Sequence, residues 1–260
     1  MQGNRFKQMV AAGKVPVGHM IMEFATRGIA RMLEAADVDF CLVDMEHSGF
    51  SVDVVADLMA LFRGTAVTPF VRVPQPDYHF IARALDAGAL GIMVPNVESG
   101  TVARDIVAAA KYSPLGKRGL ALGAAHTGFE MPDAVAYTAW ANENTTILCQ
   151  VESVQGVEHV EEIAATPGVD VLWVGHNDLS LSLGIPGQLK HPRFLGALER
   201  VVTAARQHGL AAGVQAGNVD QAREWLAMGF SVISFGADAR LYLTALEQGV
   251  RAMRELTAEI

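Results

Sequence analysis

The chain has 260 residues, a formal net charge of −8 and an isoelectric point near 5.5. Its 20 lysines and arginines are dispersed, so nucleic acid and anionic membrane surfaces are not expected partners. Apolar residues make up 51%, enough for a sizeable core, and no apolar run reaches the roughly 18 residues of a membrane span. Cys41 and Cys149 lie inside apolar runs and are expected to be buried, reduced thiols. Without a signal-peptide core, a cytoplasmic location is expected.

Short β-branched runs alternate along the chain with longer, alanine-rich segments of helical period. This alternation is typical of repeated β-α units and of a parallel sheet. The apolar runs are mostly continuous, as expected for strands that helices cover on the outside. We predict one (β/α)₈ TIM barrel domain over residues 1–260. Its eight strands are predicted at residues 15–22, 39–45, 68–73, 89–95, 145–151, 169–175, 211–216 and 230–236.

The connection between the fourth and fifth predicted strands is unusually long. A helix is predicted over residues 98–111, and a segment rich in glycine, proline and alanine follows from Ser113 to Trp140. A loop of that length in a compact domain usually has a function. His126 in this segment is expected to be exposed, with substrate contact as the alternative. At the other end, residues 238–260 predict one amphipathic helix that covers its own barrel or docks on a neighbouring subunit.

Two carboxylates follow neighbouring predicted strands. Glu152 and Asp178 each lie just past an apolar run, and a helix is predicted between them over residues 156–166. Catalytic and metal-binding groups collect at the carboxyl ends of parallel strands. Either carboxylate alone could accept hydrogen bonds from the start of a helix. For the pair, we favour a hard divalent cation held through oxygen, such as Mg²⁺ or Mn²⁺.

The second and third predicted strands end in further charged residues. Asp44 and Glu46 shortly precede His47 in sequence. A carboxylate bonded to one imidazole nitrogen would raise the basicity of the other, so His47 is a candidate general base, with a structural role as the alternative. Arg72 could stabilise developing negative charge on an oxygen, or it could form a structural ion pair with Asp44 or Glu46.

No lysine ends a predicted strand. A Schiff-base mechanism needs a desolvated lysine at that position, so an enolate formed here would require a metal. The chain also has no glycine-rich dinucleotide motif, Walker loop or nucleophile elbow, which leaves nucleotide binding and serine hydrolase chemistry without support.

Taken in order, these residues resemble the metal-dependent class II pyruvate aldolases of the HpcH/HpaI type, which include the 2,4-dihydroxyhept-2-ene-1,7-dioate and 2-keto-3-deoxy sugar acid aldolases. The matching segments cover nearly the whole chain. They are Asp44-x-Glu46-His47, Val71-Arg72, Val94-Pro95, Lys111-Tyr112-Ser-Pro114-x-Gly116-x-Arg118-Gly119, Gln150-x-Glu152, Gly168-Val-Asp170 and Gly175-x-x-Asp178-Leu179-Ser180.

The resemblance implies a barrel of the phosphoenolpyruvate/pyruvate-binding type that forms hexamers, with the C-terminal helix exchanged between subunits. It implies that Glu152 and Asp178 hold a divalent metal (Mg²⁺, Mn²⁺ or Co²⁺) that chelates pyruvate. Arg72 would stabilise the enolate oxygen, and His47, oriented by Asp44, would act as acid and base on the aldol hydroxyl. The implied reaction is reversible cleavage of a 4-hydroxy-2-oxo acid into pyruvate and an aldehyde. The predicted substrate contacts are Pro95, His126, Gln150, Gly175, His176 and Asn177.

One dipeptide departs from the family pattern. His176-Asn177 stands where these aldolases often carry Pro-Ala. Proline has no N–H, so His176 adds a donor, and two polar side chains reach the site. This difference predicts that a hydroxylated donor such as hydroxypyruvate is admitted. Two further enzyme activities, oxaloacetate decarboxylation and CoA-thioester cleavage, could use the same site; a silent barrel that binds keto acids is the alternative from another class.

Overall fold

Eight parallel strands close into a barrel in chain order, with β1 paired to both β2 and β8. The computed structural model describes residues 3–258. The predicted (β/α)₈ barrel is confirmed, and each predicted strand overlaps an observed one. The strands are β1 Val17–Ile21, β2 Phe40–Asp44, β3 Thr68–Arg72, β4 Gly91–Val94, β5 Thr146–Val151, β6 Val171–Val174, β7 Ala211–Ala216 and β8 Val232–Ala237.

Helices surround this barrel. Those preceding β5 are α1 Arg5–Ala11, α2 Ile29–Ala35, α3 Val52–Phe62, α4 Tyr78–Ala87, α5 Gly100–Ala110 and α6 Ala134–Asn144. Those following it are α7 Val154–Glu158, α8 Val160–Ala164, α9 His176–Ser182, α10 Pro192–Gln207, α11 Val219–Met228 and α12 Asp238–Ala258. Within the described residues, no helix combines the length and the apolar character needed to cross a membrane.

The barrel interior is packed with side chains and is closed at the amino-terminal ends of the strands. Phe6 of α1 plugs this end, where its ring lies edge-on to Phe40 at 5.2 Å and to Phe70 at 5.0 Å between centroids. Trp173 and Met93 belong to the same buried cluster. Alternate residues of each strand point outward into a second apolar layer beneath the helices. This packing leaves the opposite end, where the strands finish, as the open end of the barrel.

The helix predicted over residues 156–166 is wrong in detail, because two short helices occupy this region. His159 ends α7 and begins α8 with φ −102° and ψ 13°, outside helical values. Its ring Nδ1 lies 3.0 Å from the carbonyl oxygen of Glu98, which fixes the bend.

The segment from Ser113 to Trp140 contains a shorter loop than the sequence predicted, because helix α6 occupies the end of the segment. A single 3₁₀ turn, Ala125–Thr127, precedes that helix. The buried ammonium of Lys111 anchors the end of α6 by donating to the carbonyls of Asn142 and Thr145, both at 2.6 Å. Lys111 is therefore a structural residue.

Cys41 and Cys149 are buried and unpaired, as expected. The C-terminal helix forms as predicted over the part that the structure describes, residues 238–258. Asp238, its first residue, is buried and accepts hydrogen bonds from the backbone N–H groups of Met22, Glu23 and Phe24. No other residue of α12 is buried within that range, so the helix leaves its apolar side uncovered.

Candidate active site

A cavity of about 390 Å³ opens at the carboxyl ends of the strands. Most of the polar residues singled out in the sequence contribute to its wall, and the remainder of the wall is uncharged. The lining residues are Met20, Met22, His47, Arg72, Gln150, Trp173, Val174, Gly175, His176, Asn177, Asp178 and Gln215.

A buried ion pair forms one side of this cavity. Asp44 ends β2 with no exposed surface, and Arg72 ends the neighbouring strand β3 in register with it. The guanidinium donates through Nε and Nη2 to the two Asp44 oxygens, both at 2.7 Å. The structural pair named as an alternative therefore exists. Arg72 nevertheless lines the cavity, so its positive charge can act on a bound anion.

Asp44 does not orient the His47 ring as the sequence predicted. Its carboxylate accepts hydrogen bonds from the backbone N–H groups of Glu46, at 2.9 Å, and His47, at 3.2 Å. It therefore holds the turn after β2, because a buried strand-end carboxylate satisfies the nearest backbone donors. The ring Nε2 of His47 lies 3.8 Å from Glu46 Oε2, and the side chain is 54% exposed at the rim.

Glu46 contributes a second carboxylate beside Arg72. Its Oε2 lies 3.1 Å from Arg72 Nη1, close enough for an ion pair but without hydrogen-bond geometry. Burial raises the pKa of Glu46 above its ordinary value, against the opposing charges of Arg72 and His47. The negative charges of Asp44 and Asp178 act in the same direction as burial.

Glu152 is the most deeply buried of the predicted metal ligands, with 3% of its surface exposed. One carboxylate oxygen accepts from the backbone N–H of Asn96 at 2.8 Å, and the other accepts from the side-chain amide of Gln150. Burial raises the pKa of Glu152 to about 7 despite these hydrogen bonds, and the charges of Glu46 and Asp178 add to the effect.

Gly175 provides the space for this carboxylate. A Cβ at position 175 would lie 2.8 Å from Glu152 Cβ and 3.0 Å from Gln150 Nε2, closer than such atoms pack. Because Gly175 has no side chain, the Glu152 side chain can lie across the carboxyl end of β6. The glycine of the Gly175-x-x-Asp178-Leu179-Ser180 motif is therefore needed for steric reasons.

The site fits a divalent cation by its charges and donors. The charges of Glu46 and Asp178 raise the pKa of Glu152, and the charge of Asp178 raises the pKa of Glu46, so a positive ion placed among them would relieve this repulsion. Gln150 Oε1 is buried without a hydrogen-bond partner in the described chain, which leaves an oxygen acceptor unused beside Glu152. No group of three or more His, Cys, Asp or Glu side chains in residues 3–258 is arranged to hold a metal, and the predicted set has two.

His176 and Asn177 open helix α9 and line the cavity, where the sequence placed them. The His176 ring packs against Trp225 of α11, with centroids 5.4 Å apart. Burial lowers the pKa of the His176 imidazole, against the opposing charge of Asp178. The ring is therefore packed against α11 at the start of α9.

Two predicted substrate contacts lie outside the cavity. Pro95 is buried behind the end of β4. His126 is not the exposed loop residue that the sequence suggested, since its side chain is only 4% exposed. Its Nδ1 lies 3.2 Å from the carbonyl oxygen of Asp86, because the loop folds back against α4.

Several neutral lining residues escaped the sequence analysis: Met20, Met22, Trp173, Val174 and Gln215. They carry no charge, and only the inward alternation of each strand could have indicated them.

The chain is similar to known proteins over most of its length. A family model described as HpcH/HpaI aldolase/citrate lyase matches residues 21–245. A 5-keto-4-deoxy-D-glucarate aldolase from Shigella dysenteriae is 35% identical over 246 residues, 94% of each chain. A hydroxypyruvate/pyruvate aldolase from Paraburkholderia phytofirmans is 37% identical over 245 residues, 92% of this chain and 94% of the relative. The crystal structure of an HpcH/HpaI aldolase from Desulfitobacterium hafniense has a TM-score of 0.91 at 32% identity and 96% coverage of both chains. The chain therefore belongs to the HpcH/HpaI aldolase/citrate lyase family.

Proposed function

We propose that this aldol lyase reversibly cleaves a 4-hydroxy-2-oxo acid into a pyruvate-type keto acid and an aldehyde at the cavity at the barrel mouth. The observation that carries the proposal is the grouping of three charges at one cavity: Arg72 and Asp178 line it, and Glu152 lies against the lining residues Gln150 and Gly175. A cation and a pair of metal-binding carboxylates are the groups that enolate chemistry needs when no lysine is available.

Glu152 and Asp178 would hold the divalent metal, with Mg²⁺ and Mn²⁺ as the ions that best match all-oxygen ligands. When bound, such an ion polarises the 2-oxo group of the keto acid and neutralises part of the charge that develops there. The buried Gln150 amide positions the Glu152 carboxylate through its hydrogen bond, and the N–H of Asn96 fixes the other oxygen.

Arg72 and His47 would act on the substrate itself. The C4 hydroxyl loses a proton, the C3–C4 bond breaks, and the aldehyde leaves while the electron pair passes to C3 and the 2-oxo oxygen. Arg72, held rigid by Asp44, is suited to stabilising negative charge on that oxygen. His47 at the exposed rim is suited to receiving the hydroxyl proton and returning it in the reverse reaction.

The turn that opens α9 would bind the carboxylate of the keto acid. Gly175, His176 and Asn177 place backbone N–H groups at the start of this helix, beside Asp178. The similarity to a hydroxypyruvate/pyruvate aldolase supports pyruvate and hydroxypyruvate as donors. Gln150, on the adjacent strand β5, would lie beside the same molecule.

The uncovered α12 supports a homo-oligomer, for which a hexamer with exchanged C-terminal helices is our proposal. Apolar residues of α12 stay exposed along the length that is described, among them Leu246, Val250 and Met253. On the barrel, Val17 of β1 and Phe235 of β8 are 45% and 37% exposed, although strands of this fold are normally covered by helices.

Hydrogen–deuterium exchange at the pyruvate methyl group tests the proposal before the aldehyde is known. Proton NMR should show exchange with Mg²⁺ or Mn²⁺ and none with EDTA. Glu152→Ala should abolish the exchange, whereas Glu143→Ala, at an exposed position of α6, should retain it. Absence of exchange from both pyruvate and hydroxypyruvate, in wild-type protein with metal, would contradict the aldolase assignment to this site.

A further inference from the structure

Gln215 of β7 faces the cavity and is not one of the charged residues described above. Val151, Val174 and Val214 are in register across β5, β6 and β7. Glu152, Gly175 and Gln215 are the next residues of these three strands, so they lie in one layer. Because Gly175 has no side chain, Gln215 and Glu152 face the same space from either side of it.

The amide of Gln215 is anchored at one end and unsatisfied at the other. Its Nε2 donates to the carbonyl oxygen of Gly236 at 2.8 Å, which fixes the orientation of the group. The carboxamide Oε1 has no hydrogen-bond partner within residues 3–258, although the side chain is only half-exposed. Ser234, its registered neighbour on β8, is fully buried and its hydroxyl also lacks a partner there. This part of the wall therefore offers an unused acceptor.

We infer that Gln215 determines the keto-acid donor, by accepting a hydrogen bond from a hydroxyl group on C3 of the bound molecule. The inference rests on the proposed function and specifies its substrate class as 3-hydroxy-2-oxo acids. An apolar group on C3 would displace water from this half-exposed acceptor without replacing its hydrogen bond, whereas a hydroxyl group in that place would satisfy it.

The position of Gln215 indicates the keto-acid donor rather than the aldehyde. In an eight-stranded barrel β7 stands opposite β3, which carries Arg72. A keto acid bound beside Arg72 and Glu152 would therefore turn the side that faces away from Arg72 toward Gln215. His47, the acid/base candidate for the aldol hydroxyl, lies at the exposed rim instead. The aldehyde therefore enters from the rim, above the layer that contains Gln215.

Calorimetric titration of the Mn²⁺-loaded protein with two matched keto acids tests this directly. Hydroxypyruvate carries a hydroxyl on C3, and 2-oxobutanoate carries a methyl group of similar size in the same place. Wild-type protein should bind hydroxypyruvate about tenfold more tightly than 2-oxobutanoate, the effect of about one net hydrogen bond. In Gln215→Met, which keeps the length of the side chain but removes the acceptor, this preference should fall to within about twofold.

Gln188→Met, at an exposed position, is the matched control and should keep the wild-type preference. If Gln215→Met does not fold, as judged by thermal unfolding, Gln215→Asn withdraws the amide and should also reduce the preference. An unchanged preference in a folded Gln215 variant would overturn the inference, as would equal binding of both keto acids by wild type. Pyruvate methyl exchange in wild type separates the outcomes, because it tests the proposed function independently of Gln215.

Discussion

At the scale of single residues, Gly175 shows how closely the candidate site is packed. The Glu152 side chain occupies the place of a side chain at position 175, so Gly175→Ala should displace it. We expect a loss of roughly 1–3 kcal/mol in unfolding free energy from overpacking, together with loss of pyruvate exchange. Gly196→Ala in α10 is the control, since a Cβ there meets no atom within 4 Å. Urea unfolding and proton NMR check both variants; an active Gly175→Ala protein would contradict the argument.

The ionisation of Glu152 gives a second prediction at this scale. Its pKa rises from 4.5 unfolded to about 7 folded, so the folded state binds the extra proton between these values. Stability of the metal-free protein should therefore fall as the pH rises from about 4.5 to about 7. Glu152→Gln, which removes the charge, should be the more stable protein at pH 8, by on the order of 1–3 kcal/mol, and similar to wild type at pH 4.5.

Denaturant unfolding at the two pH values in the presence of EDTA measures this difference. Mn²⁺ should stabilise wild type at pH 8 more than Glu152→Gln, because only the carboxylate binds the ion strongly. Equal stability differences at both pH values would show that folding leaves the pKa of Glu152 unchanged.

Sequence could predict the charged residues of the site but not its neutral wall. Asp44, Arg72, Glu152 and Asp178 stand out because charges at the ends of apolar runs are costly unless paired or used. Gln215 lies in β7, and nothing in the sequence distinguishes it from other polar residues. Only the strand register places it beside Gly175. The pairing of Asp44 with backbone rather than the His47 ring was equally hidden, since it depends on the local turn.

At the scale of elements, the Asp44 carboxylate joins β2, β3 and the turn that carries His47. Asp44→Asn would leave the buried Arg72 without its hydrogen-bonded charge partner and with only Glu46 beside it, and such losses cost roughly 3–5 kcal/mol. The same change should reduce pyruvate exchange, because Arg72 loses its fixed position. Asp220→Asn, whose pair with Arg223 is exposed, should cost less than about 1 kcal/mol. Urea unfolding of the two variants decides; a cost as small as that of the control would show that the buried pair adds little.

The strands were predictable as elements because most are largely apolar runs buried on both faces, as in β2, β3 and β5. Helix α6 was not predictable in this way, since only Tyr137 and Ala141 are buried along it and its apolar residues do not lie on one face of the helix. The break at His159 depends on a contact with Glu98, 61 residues away in sequence. Local patterns therefore predict elements that the core defines, and they fail where a distant contact decides.

At the scale of the whole molecule, the exposed side of α12 predicts assembly. Leu246 and Val250 lie one helical turn apart and are 47% and 43% exposed, an arrangement that favours burial against another subunit. Charges at both positions would have to be buried in that interface, so the double variant Leu246→Glu/Val250→Glu should dissociate toward smaller species. Gln248→Glu adds charge on a different side of the helix and should leave the assembly intact. Size-exclusion chromatography with light scattering measures the masses. A double variant with the mass of wild type would show that α12 is not an interface, and the uncovered strands β1 and β8 would then need another partner.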